Sequence, residues 1–366
     1  MAAARQVTAS SFCPPEGNRR RGHAAPSRHR PRSATKSVLV LTLVTVAVVA
    51  IAVGSDASRG APAGPEKPTG QAGAARPSST VGPSRHRAGD PRARPGASGP
   101  AAAASARGVP LDPSRFAAGA CVAFSPTSGN RHRTVFVDAG HGGIDPGAIG
   151  TTESGQTVHE ADETLPVALA VTSLLRAQGY RVVVSRTRAT TVVRPTAADL
   201  TGSVLSVTGA KADIAARDQC ANMARATVLV GIYFDAGTSP TNAGSITGYD
   251  ATRPFASDNL RLATLLQRNV LAQLNAHGWA IPDDGVLNDE SLGGVPLTTT
   301  AASYDHLLLL GPADPGWFTT PSEMPGALIE PLFITDPFEA TIAASAAGQV
   351  AIAQGMAQAV ERYFSG

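Results

Sequence analysis

Short apolar runs alternate with longer stretches of helical periodicity from about residue 134 to the end of this 366-residue chain. The compact runs at 135–138, 181–185, 227–234, 245–249 and 326–330 predict buried strands. Helical patterns predict helices over 164–178, 212–226, 257–277 and 342–364. In the first of these, Leu165, Leu169, Thr172 and Leu175 recur at helical spacing, and Gly179 marks the stop. Pro166 places the start of that helix close by, because proline suits only a first turn. Strand–helix alternation predicts an α/β domain, a mostly parallel twisted sheet flanked by helices. The Gly-, Pro- and Thr-rich stretches 188–211 and 283–325 read as insertions of the kind that shapes or covers a site. No internal repeat is visible.

The first hundred residues follow neither period. Val38 to Val53 is an uncharged apolar block in which only Thr42 and Thr45 are polar. It is slightly shorter than the ~20 residues of a spanning helix. Arg19, Arg20, Arg21, Arg28, Arg30, Arg32 and Lys36 precede it and favour a cytoplasmic N-terminus. Ala52-Val53-Gly54 offers the small residues of a cleavage site. The block therefore reads as a signal anchor or a cleaved signal peptide, and either sends the remainder out of the cytoplasm. Residues 1–37 are then a basic leader, 38–54 the apolar segment, 55–113 a disordered tether too poor in apolar surface to fold, and 114–366 one folded domain.

Charge divides along the same line. Residues up to Gly108 hold sixteen of the 31 basic and four of the 28 acidic side chains, leaving the folded part with a net charge of −9. The sequence pI of about 8.9 thus belongs to the tail, and nucleic acid is not an expected partner. Cys13 falls in the leader. Cys121 and Cys220 are expected outside the cytoplasm, either as a disulfide or as two buried thiols.

Candidate chemistry gathers at strand ends. Val135-Phe136-Val137-Asp138 runs into Ala139-Gly140-His141-Gly142-Gly143, which puts a histidine at the C-terminal lip of a parallel strand, where open α/β sheets build their sites. Glu160 stands just ahead of the first helix, and Glu330 ends the last apolar run. The three residues can converge on one cleft. A histidine and a carboxylate can hold zinc with a position open, while a second carboxylate takes a proton from water.

On these residues the chain resembles the zinc-dependent N-acetylmuramoyl-L-alanine amidases of the type 3 cell-wall hydrolase family. Asp138-Ala139-Gly140-His141-Gly142-Gly143 with Asp145-Pro146-Gly147-Ala148 is similar to the first motif, whose histidine binds zinc. Glu160-Ala161-Asp162 with Leu165 resembles the second, whose glutamate is a zinc ligand. Arg217 and Asn222 match a pattern on the helix before the third strand, and Ile329-Glu330 with Phe333 and Asp336 resembles the last motif, whose glutamate is the catalytic base. The resemblance covers about 133–364.

It also exposes a departure. The family ends its third strand in Ser-Ile-His-Ala-Asn, whose histidine is the remaining zinc ligand, where this chain has Gly231-Ile232-Tyr233-Phe234-Asp235. Tyr233 as a phenolate, Asp235, His306 or His159 are the candidates to complete a site, or Tyr233 simply packs there. Asp283-Asp284-Gly285-Val286 departs too, since many relatives carry arginine before that glycine.

The resemblance implies a Zn²⁺ held by His141 and Glu160, Glu330 as catalytic base, and peptidoglycan stem peptides as substrate. It implies a cell-envelope location, membrane-anchored facing outward or secreted. The alternative is a catalytically silent peptidoglycan-binding or regulatory protein that keeps the fold.

Overall fold

Strand Thr134–Ala139 is buried along nearly all its length, so it must lie inside a sheet covered on both faces. The computed structural model describes residues 108–291 and 304–366 of the chain. The leader, the apolar segment and most of the tether lie outside the described residues. No helix among the described residues is long and apolar enough to cross a membrane.

The strands are β1 Val109–Pro110, β2 Ala120–Phe124, β3 Thr134–Ala139, β4 Ile149–Thr151, β5 Thr157–His159, β6 Arg181–Arg186, β7 Leu200–Thr201, β8 Val204–Leu205, β9 Val228–Ile232, β10 Ser245–Tyr249, β11 Asp283–Asn288 and β12 Gly326–Glu330. Eight form one sheet in the order β1-β2-β6-β3-β9-β12-β10-β11, while β4-β5 and β7-β8 are small hairpins. The centre, β6-β3-β9-β12, is parallel. On one side β2 joins β6 antiparallel; on the other β10 joins β12 antiparallel, and β11 runs parallel to β10. The sheet is thus mixed and mostly parallel, as expected.

Among the described residues five helices flank it: α1 Glu160–Ala177, α2 Val207–Met223, α3 Ala256–Ala276, α4 Pro337–Ala343 and α5 Ala346–Ser365. Alternation along the strands sorts the core into two layers. Val135, Val137, Val230 and Ile329 pack with Val167 and Val171 of α1, Leu262 and Leu266 of α3 and Ile352 and Met356 of α5. Phe136, Val183, Leu229 and Leu328 face the other way, onto Ala216, Cys220 and Ala221 of α2. In that second layer Cys121 and Cys220 form a disulfide across 99 residues of sequence, which resolves the pairing left open above.

Several boundaries differ from the periodicity. Helix α1 begins at Glu160, four residues before the expected start, so Pro166 sits inside it. Its buried face is Thr164, Val167, Ala168, Val171, Thr172 and Leu175, and Leu169 is 36% exposed. The early start follows from the β4-β5 hairpin, which delivers the chain directly to Glu160. The expected helix 342–364 is two helices, because Ser345 caps α5 through a bond from Gly348 N to its Oγ (2.9 Å). The expected strand 227–234 stops at Ile232, leaving Tyr233 and Phe234 beyond it. The stretch 283–325 opens with an edge strand, β11, whose polar sequence hides its period.

Candidate active site at the C-terminal end of the parallel strands

Beyond β3 the chain turns through Gly140, His141, Gly142 and Gly143, with His141 in the left-handed region at φ 57°. That conformation costs a non-glycine residue ~1–2 kcal/mol and needs support from its surroundings. Two fully buried arginines supply it. Arg217 of α2 donates to the carbonyls of His141 and Ala139 and to Asp138 Oδ1, each at 2.7 Å, and its remaining face is closed by Asp213 Oδ2. Arg186, the last residue of β6, donates to the carbonyls of Ala139, Gly140 and Ala161. Burial beside Arg217 lowers its pKa to about 10. Gly147 is required for closeness: a Cβ there would stand 2.6 Å from Glu160 Oε2 and 2.7 Å from His141 Cδ2.

The imidazole is oriented from both sides. Asp145 Oδ2 lies 2.9 Å from Nδ1, and Glu160 Oε2 lies 3.2 Å from Nε2. Glu160, the first residue of α1, is itself fixed: Oε2 accepts from Ala148 N and Oε1 from Phe234 N, each at 2.9 Å. Burial opposes charge on His141, but Glu160 and Asp145 outweigh it and raise the ring's pKa well above its ordinary value.

Glu330 ends β12 beside this pair. Burial pushes its carboxyl well above the usual carboxylate range, with Asp235 and Glu160 adding to the shift and His141 opposing it. Glu330 thus ends β12 at the same edge of the parallel sheet as β9 and β3, within electrostatic reach of His141 and Glu160.

The donor set of His141 and Glu160 fits zinc. Imidazole nitrogen and carboxylate oxygen are zinc ligands, and two ligands bound tetrahedrally at ~2.0–2.1 Å stand about 3.4 Å apart, close to the observed 3.2 Å. A third protein ligand is another matter. Tyr233 Oη donates to Asp138 Oδ2 at 3.0 Å, and its ring meets His141 edge-on, centroids 5.3 Å apart. Burial, then Asp138, raises its pKa well above 10, so the phenol keeps its proton. Asp235 is held by a β-bridge to Phe333, and burial raises its pKa to about 6. His159 is half-buried and pairs with Asp162 at 3.5 Å. His306 lies with Asp250 and Asp289, and that trio is the one group of three His, Cys, Asp or Glu ligand atoms within 4.8 Å of one another among the described residues. None of the four candidates completes the His141–Glu160 pair in this arrangement.

Sequence reasoning gave no role to Asp138, Asp145, Asp213 or Arg186. Asp213 and Arg217 carry a readable i,i+4 signal on one helix. Arg186 carries none, because its partners come from distant turns.

Residues 135–362 match the family model described as N-acetylmuramoyl-L-alanine amidase. Among solved structures, the chain is similar to the N-acetylmuramoyl-L-alanine amidase AmiC2 of Nostoc punctiforme, at 20% identity over 65% of this chain and 100% of that one, with a TM-score of 0.44. It is similar to an N-acetylmuramoyl-L-alanine amidase from Clostridium difficile 630, at 25% identity over 65% and 98% of the two chains, TM-score 0.44. It is similar also to Ami1 from Mycobacterium smegmatis, at 18% identity over 65% and 99%, TM-score 0.43. No curated protein sequence matches it. The family match spans most of the chain and contains the His141, Glu160 and Glu330 positions alike: the chain belongs to the N-acetylmuramoyl-L-alanine amidase family.

Proposed function

We propose that the protein is an exported, zinc-dependent peptidoglycan hydrolase that cleaves the amide between N-acetylmuramic acid and the L-alanine of the stem peptide. The observation that carries this reading is the 3.2 Å approach of His141 Nε2 to Glu160 Oε2, with Asp145 behind the imidazole and Glu330 beside the pair. His141 and Glu160 would hold the ion, and zinc bound there supplies Lewis acidity toward the scissile carbonyl. Asp145 fixes the imidazole's tautomer and direction. Glu330 takes the proton of the attacking water and returns it to the leaving amine. The Cys121–Cys220 disulfide supports a location outside the cytoplasm, in the cell envelope or secreted.

A second reading rests on Tyr233. Its phenol is turned to Asp138 and keeps its proton, which supports a domain that retains the fold, binds wall peptides and turns over poorly or not at all. Zinc content separates the readings at their root. His141→Ala should lower bound zinc by one ion per chain relative to the unaltered protein. Equal zinc in both removes the metal from this site and leaves the silent binder.

A further inference from the structure

The opposite end of the sheet carries a second cluster that the amidase reading does not use. Because β10 runs antiparallel to β12, with Ile246 opposite Glu330 and Gly248 opposite Leu328, the C-terminal ends of β10 and β11 lie at the far end of β12 from Glu330. Asp250 follows β10, and Asp289 follows β11. His306 comes up against both. Its Nδ1 is 3.2 Å from Asp250 Oδ2 and 3.3 Å from Asp289 Oδ1.

Each carboxylate is anchored by one oxygen and presents the other. Asp250 Oδ1 accepts from Thr252 N (2.6 Å), Thr252 Oγ1 (2.7 Å) and Arg253 N (3.0 Å). Asp289 Oδ2 accepts from Leu307 N at 3.0 Å. Asp250 Oδ2 and Asp289 Oδ1 thus both face His306 Nδ1, and each of the three residues brings one ligand atom within 4.8 Å of the others'. Asp250 is 0% and Asp289 2% exposed, so water does not offset their repulsion. One Nδ1–H cannot serve two acceptors well, and Asp250 Oδ2, fully buried and aimed into the cluster, receives no hydrogen bond. An orphaned carboxylate oxygen beside a second carboxylate and an imidazole calls for a cation. Glu290 Oε1 stands 3.9 Å from the ring's other nitrogen, the side from which a carboxylate steadies a metal-bound histidine.

We propose that Asp250, Asp289 and His306 form a second divalent-metal site, structural in role, at the end of the sheet remote from His141. One nitrogen and two carboxylate oxygens suit a borderline transition ion such as Zn²⁺ better than Ca²⁺, which takes six to eight oxygens. The ion ties the end of edge strand β11 to the segment carrying Leu309 and Leu310, which pack in the second core layer. Its effect is on stability, and it is independent of whether the first site turns over substrate.

The test is a two-by-two comparison of zinc content and melting temperature in the full chain: unaltered, His141→Ala, His306→Ala, and the double variant. Each protein is stripped with EDTA and re-equilibrated with zinc alone. Under this proposal His141→Ala still takes up one ion and melts higher with zinc than without. The double variant takes up none and gains nothing from zinc. Asp289→Asn on the His141→Ala background keeps an acceptor for Leu307 N, so it should fold while its zinc affinity falls at least about tenfold, the low end of what even a supporting partner contributes. Equal zinc uptake, or an equal zinc-dependent rise in melting temperature, with and without His306 overturns the proposal and leaves an imidazolium shared between two aspartates. An unchanged zinc content on His141→Ala alone bears on the first site and leaves the second to its own comparison.

Discussion

Tyr233 Oη and Asp138 Oδ2 are joined by a 3.0 Å hydrogen bond that fixes the residue just beyond β9, the position that the resemblance compares with a metal-binding histidine. The other oxygen of Asp138 accepts from Arg217, which also holds the His141 carbonyl. The tyrosine is thus wired into the arginine network that shapes the histidine turn. Its phenol is held away from the ligand role by that wiring and by burial, which keeps it protonated.

Replacing this residue tests that arrangement. Tyr233→His should supply an imidazole on the same side of the turn and tighten zinc binding at the first site by at least tenfold. Zinc titration against a competing chelator measures it. An unchanged affinity would mean the backbone at this position does not deliver a side chain to the metal.

Arg217 is fully buried against two buried carboxylates, Asp138 and Asp213. Arg217→Met should leave both unpaired and cost about 3–5 kcal/mol of stability. Chemical denaturation reads this directly. A loss under 1 kcal/mol would show that Arg217 is not the support of the His141 turn.

Glu330 gives a pH dependence with a definite sign. Its carboxyl has a higher pKa in the folded protein than in the unfolded chain, because burial and neighbouring carboxylates disfavour its charge. Between those two pKa values the folded state binds more protons, so native stability from this group is complete below the unfolded value and falls as pH rises. Glu330→Gln removes the titration. In metal-free protein its melting temperature relative to the unaltered chain should therefore climb from pH 5 to pH 8. A difference that is flat or falls over that range contradicts the burial of this carboxyl.

The disulfide spans 99 residues, a loop long enough for closure entropy to matter. Converting Cys121 and Cys220 to alanine should destabilise the domain by about 2–5 kcal/mol. Denaturation under oxidising conditions, compared with the unaltered protein, provides the measurement.

Much of the sheet was legible because its central strands are short, apolar and fully buried, as in 135–138 and 326–330. Strand β11 was not, since Asp283, Asp284 and Asn288 put polar side chains on an edge that water can reach. The stripe of α1 was half legible: Thr172 and Leu175 are buried as the spacing predicts, whereas Leu165 and Leu169 lie off the face that Val167, Ala168 and Val171 complete. The residues proposed to carry the site, His141, Glu160 and Glu330, were visible as motif positions at strand and helix ends. Their supports could not: Arg186 and Asp145 act through backbone carbonyls and a ring nitrogen that only the folded chain brings near. The Asp250–Asp289–His306 group was hidden likewise, three residues on separate segments with no motif to link them.

The most direct test of the account is the release of stem peptides from purified peptidoglycan. The zinc-loaded protein should expose new L-alanine amino groups, and Glu330→Ala should stop their appearance while keeping the zinc bound at His141 and Glu160. No new L-alanine amines from the unaltered, zinc-loaded protein across several wall chemistries would contradict the hydrolase and leave a wall-binding domain in its place.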